Sequence, residues 1–69
     1  MKIEQIEKAE EFLTWLDLNY ENSYLTREIM WKGYVHALID FNYIDNEQYL
    51  ELMDYTRSKK LLSEYKKEK

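Results

Sequence analysis

A chain with no proline and one glycine carries almost nothing that ends a helix, and its apolar residues fall three and four apart. Together these features predict an all-α fold, because a half-buried strand needs an alternation of period two. At 69 residues the chain makes one small domain with a limited core.

Ile6, Ala9, Leu13, Leu16 and Tyr20 form a single stripe at 3.6 residues per turn, with Phe12 beside it, which predicts a helix over 3–18. The polar cluster from Asn19 to Ser23 ends that pattern, and Ser23 or Thr26 is placed to cap the next helix. Over 25–41, Met30, Trp31, Tyr34, Val35, Ala37, Leu38, Ile39 and Phe41 span an arc of about 200°, twice what a surface helix needs. This second helix is therefore expected at the centre, with a narrow polar stripe of Lys32, Gly33, His36 and Asp40. A mid-helix glycine costs about 1 kcal/mol against alanine, so Gly33 points to a close helix crossing or a partner contact.

Asn42 suits the left-handed conformation that ends a helix, and Asp45 with Gln48 three residues on reads as a capping box. Ile44 before the cap and Tyr49 four residues after it are spaced for a hydrophobic staple. A third helix is predicted over 46–57, turning Tyr49, Leu50, Leu52, Met53 and Thr56 to one side. Leu61, Leu62 and Tyr65 would lie about 120° from that side, so the helix breaks within 56–60, with Ser58 capping a short fourth helix, or its last turns face something else. The expectation is a three-helix bundle over 1–57, followed by a basic, at least partly helical tail over 58–69. Its expected core is Ile6, Leu13, Leu16, Met30, Tyr34, Ala37, Leu38, Phe41, Leu50 and Met53.

The formal charge of -4 hides an asymmetry. Residues 1–54 hold four Lys or Arg against twelve Asp or Glu, whereas residues 55–69 hold six against two. An acidic body repels nucleic acid, so a nucleic-acid reading rests on Arg57, Lys59, Lys60, Lys66 and Lys67 alone. Otherwise those cations complement the dipole of a helix end. No cysteine is present, no apolar run is long enough for a membrane span, and the first dozen residues are acidic rather than leader-like; the expectation is a cytoplasmic chain.

Little in the sequence supports catalysis. The one histidine, His36, has no serine on its own predicted helix, and no glycine-rich turn exists to hold a strained nucleophile or an oxyanion hole. His36 and Asp40 are four apart and offer a metal two ligands, which is no closed site; the simpler reading is a surface pair. Asp40, Asn42 and Glu51 fit positions 1, 3 and 12 of a calcium loop, but Ile44 lacks a ligating oxygen at position 5 and Asp45 stands where glycine is needed. No metal and no cofactor are expected.

Helix 1 presents the most informative surface. Glu4, Glu7 and Glu11 lie opposite its apolar stripe, and Trp15 and Leu18 fall among them. A large aromatic rimmed by charge is the usual anchor of a protein interface, so this patch is the candidate partner surface of a small non-catalytic regulator or inhibitor. The competing structural reading folds Trp15 over the following loop or under the tail. Two functional alternatives are an acidic nucleic-acid mimic, whose carboxylates would stand in for phosphates, and a weak nucleic-acid binder acting through the tail. A homodimer through helix 2 and the apolar side of the tail is also expected, because a core this small rarely supplies more than about 3–5 kcal/mol. The wealth of Tyr, Asn, Ile, Lys and Glu without Pro or Cys resembles small helical proteins of AT-rich bacteria and their phages, a likeness of composition that assigns no site.

Overall fold

A computed structural model describes residues 3–67, which form four helices and no strand: α1 (Ile3–Asn19), α2 (Tyr24–Asp40), α3 (Asn46–Leu52) and α4 (Tyr55–Lys67). The predicted all-α class holds. Helix α4 lies along α1, and the short α3 bridges α2 and α4. Asp17 near the end of α1 meets residues at the start of α4, while Glu10 meets Lys66 at its end, so α1 and α4 run antiparallel.

The loop between α2 and α3 follows its local sequence closely. Asn42 adopts φ 62°, and the Asp45 side chain accepts from the Gln48 amide at 2.7 Å while Gln48 Oε1 accepts from the Asp45 amide at 3.0 Å. Ile44 is buried, and Tyr49 packs at the edge of the same core. The start of α2 differs from expectation: Ser23 occupies the cap position, but its hydroxyl donates to Thr26 Oγ1 at 2.8 Å instead of accepting from a backbone amide.

The third helix is shorter than predicted. It ends at Leu52, and α4 starts at Tyr55 because Asp54, not Ser58, caps it: Asp54 Oδ1 accepts from the Arg57 amide at 3.0 Å. The break at 53–54 rotates Tyr55, Ser58 and Leu62 inward, at spacings of three and four. Ser58 is fully buried and accepts from the Trp31 indole N–H at 2.9 Å. The basic tail is thus an integral helix as far as Lys67; residues 68 and 69 of the expected tail lie outside the described residues. With Leu62 buried and Leu61 half-buried, the tail's apolar side faces its own core.

The core differs most from expectation on α2. Its buried face is Trp31, Val35 and Leu38, so Met30 and Tyr34 sit at the core edge while Ala37 and Phe41 face outward. The reason is physical: with apolar residues over about 200° of arc, several rotations bury a similar area. The rotation that buries the indole is the one that also gives its N–H a partner. On α3, Leu52 is buried in place of Leu50, which is exposed, and Met53 is half-buried.

No close crossing among the described residues explains Gly33, since a Cβ built there meets nothing within 4 Å beyond its chain neighbours and its own helical turns. Gly33→Ala is therefore expected to stabilise the dilute protein by about 0.5–1 kcal/mol, through a less mobile unfolded chain and a better helix former. Thermal unfolding followed by circular dichroism at low concentration checks this; a lower midpoint contradicts it.

Candidate functional site

Along α1, Glu7, Glu11, Trp15 and Leu18 recur at helical spacing on the face turned away from the core and line an open groove of about 550 Å³. Glu10 and Thr14 complete the α1 side, and Lys66 of α4 closes one edge. Glu4, the fifth residue expected in this patch, is exposed on α1 but does not line the groove. Trp15 is held from two directions: it stacks on Phe12 with centroids 6.0 Å apart, and it meets Tyr20 edge-on at 5.5 Å. It does lean toward the following loop, yet 42% of it stays exposed, and Leu18 is 78% exposed. Phe12 continues the stack to Tyr34 at 4.8 Å, so the indole's position is tied to the aromatic packing between α1 and α2.

Where α4 runs along α1, from the edge of the groove to Asp17, cations of α4 are engaged with acids of α1. Lys66 pairs with Glu10 at 3.2 Å. The Asp17 carboxylate accepts from Lys59 and from the Tyr55 hydroxyl, and Arg27 of α2 approaches it at 3.3 Å. Burial pushes the Asp17 carboxyl up, but the hydrogen bonds from Lys59 and Tyr55 and the Lys59 and Arg27 charges outweigh it and hold the group below its usual value. Tyr55 is pushed up to about 12, by burial first and then by its hydrogen bond to Asp17 and that carboxylate's charge, with Arg27 opposing. Arg27 and Lys59 also stand over the Tyr55 ring at 5.1 and 5.5 Å. This cluster joins α1, α2 and α4 and explains why the basic segment docks.

The sequence-predicted tail cations are therefore dispersed. Lys59 and Lys66 face α1, whereas Arg57 and Lys60 border a hollow that also holds Glu51 and Glu64. Sequence reasoning missed Glu10, Thr14 and Lys66 as groove residues. A signal was present: Glu10 and Asp17 are seven apart on one helix, and Lys59 and Lys66 are seven apart on another, which matches two antiparallel helices paired by charge. His36 and Asp40 are exposed and 3.5 Å apart, and among the described residues no group of three or more potential metal ligands converges. No helix of the described residues is long and apolar enough to cross a membrane.

The chain matches no known protein family, no curated protein and no solved structure with which it was compared.

Proposed function

We propose that the chain is a non-catalytic, cytoplasmic protein-binding module, which regulates or inhibits a partner by occupying its surface with the α1 groove. The observation that carries this reading is the half-exposed Trp15, fixed by Phe12 and Tyr20 in a groove rimmed by Glu7, Glu10 and Glu11. A pre-positioned indole loses little side-chain entropy on binding, and its charged rim selects a complementary partner. The complementary segment presents an apolar side chain flanked by Lys or Arg. The engagement of Lys59 and Lys66 with α1 supports this reading over nucleic-acid binding, since paired cations release fewer counterions from a phosphate backbone.

Capture from a lysate of the source organism, with wild type and Trp15→Ala side by side, tests the proposal. The alanine variant is expected to lose the partner through a weakening of about 2 kcal/mol or more, the cost of truncating an interface anchor. Glu7→Lys combined with Glu11→Lys should weaken capture further at low salt than at high salt. Unchanged circular dichroism shows that the fold survives, and equal recovery of the same proteins by wild type and Trp15→Ala sinks the reading. A chain that instead releases a nucleic acid probe from an enzyme, without binding the probe itself, is acting as the acidic mimic.

A further inference from the structure

The rotation of α2 that buries Trp31, Val35 and Leu38 turns a continuous apolar ridge to solvent. Leu25, Ile29, Gly33, Ala37 and Phe41 follow one another at intervals of four, and all five are exposed, with Leu25 at 68%, Ile29 at 61% and Phe41 at 71%. Beyond its end, Tyr43 is 6.5 Å from Phe41, ring centre to ring centre, and adds to the patch. Residues four apart form the ridges by which helices most often interlock. Among the described residues, and apart from its chain neighbours and its own helical turns, nothing comes within 4 Å of a Cβ placed on Gly33, the midpoint of the ridge.

From this geometry we infer that the ridge docks against the same ridge of a second copy, the two α2 helices crossing antiparallel at Gly33. The order of side-chain sizes suits that arrangement. A two-fold axis at Gly33 places each residue opposite the one equally far beyond the axis, so Ile29 meets Ala37 and Leu25 meets Phe41. Glycine lies where the helices approach most closely, and Leu25 and Phe41 lie where the two cylinders diverge and long side chains are needed to fill the gap. The area is also of the right order. The six residues expose on the order of 500 Å² per copy, so a symmetric pair would bury about 1,000 Å², the lower end of specific interfaces and the mark of a weak dimer. A patch of this size matches the largest apolar patch of a typical monomer, and such patches are often functional. This interface uses helix 2 as the sequence suggested, but not the tail.

Sedimentation equilibrium from micromolar to millimolar protein tests the inference. The mass of wild type is expected to rise with concentration from 8.6 kDa toward twice that value. Ile29→Lys, at an exposed position, should keep the circular dichroism spectrum and remain at 8.6 kDa throughout. Gly33→Ala should raise the unfolding midpoint of dilute protein yet weaken association several-fold, because its methyl groups part the helices at the crossing. The ridge and the α1 groove share no residue, so partner capture that depends on Trp15 survives Ile29→Lys, and either proposal can fail alone. A wild type fixed at 8.6 kDa at millimolar concentration overturns self-docking and leaves the ridge to a different protein. Association of Ile29→Lys at wild-type strength overturns it too, by placing the interface elsewhere, and tighter association of Gly33→Ala removes Gly33 as the crossing point.

Discussion

Trp31→Ala is expected to unfold the protein, or to leave it with almost no residual stability. The indole is fully buried, stacked near Tyr34 at 5.7 Å and Phe12 at 6.3 Å, and it is the largest side chain of the core. Truncating a buried tryptophan costs about 3–5 kcal/mol, and a core of this size supplies a total of similar magnitude. A second cost is specific to this site. The indole N–H donates to both the Leu52 carbonyl and the Ser58 hydroxyl oxygen, and Leu52 is the last residue of α3, where carbonyls lack helical partners. Trp31→Phe separates the two contributions: it keeps most of the apolar bulk but removes the donor, for an expected loss of about 1–3 kcal/mol. Denaturant unfolding of the two variants measures both. A Trp31→Ala protein that unfolds cooperatively within about 1 kcal/mol of wild type would refute the account, because no cavity of that size costs so little.

The same Trp31 marks the boundary of what the sequence discloses. Helix 1 was legible because Ile6, Ala9, Leu13 and Leu16 form one stripe that fixes the buried face even though Trp15 and Leu18 lie outside it, and Ile6, Leu13 and Leu16 are buried as expected. The α2–α3 loop was legible because Asn42, Asp45 and Gln48 each act within a few residues of themselves. Helix 2 was legible as a helix but not in its rotation, since a broad apolar arc permits several. What selects among them is a hydrogen bond from Trp31 to residues 21 and 27 positions away, and no local pattern encodes that. The break before α4 was visible as a discontinuity of the apolar stripe. Its position was misjudged because Ser58 looked like a cap, whereas Asp54 serves as one and frees Ser58 for the core. Of the candidate groove, Glu7, Glu11, Trp15 and Leu18 follow from spacing alone, while the parts played by Glu10, Thr14 and Lys66 depend on how α4 docks.

That docking makes the fold sensitive to pH at both ends of the scale, and the signs differ. For Asp17 the folded protein holds the carboxyl below its ordinary 3.8, so it contributes stability that is fully present above that pH. The contribution is lost as pH falls below 3.8 and through the folded value, when protonation leaves Lys59 and Arg27 facing a neutral group. For Tyr55 the folded value is raised from 10.0 to about 12, so the folded state favours the neutral phenol. Its contribution is complete below pH 10 and is lost as pH climbs toward 12, because over that window the unfolded chain releases the proton and the folded one retains it. A shift of this size corresponds to roughly 3 kcal/mol at the alkaline end. Burial and the Glu11 charge push Tyr34 up as well, so wild type carries a second, separate source of alkaline loss. Tyr55→Phe is expected to cost about 1.5–3 kcal/mol near neutral pH, the worth of a hydrogen bond to a charged group. Its stability should then decline less steeply than wild type between pH 10 and pH 12, keeping only the Tyr34 share, so that the two proteins converge at the alkaline end. Urea unfolding at a series of pH values reads both curves, and parallel alkaline limbs for wild type and Tyr55→Phe would show that the Tyr55 to Asp17 hydrogen bond does not hold α4 against α1.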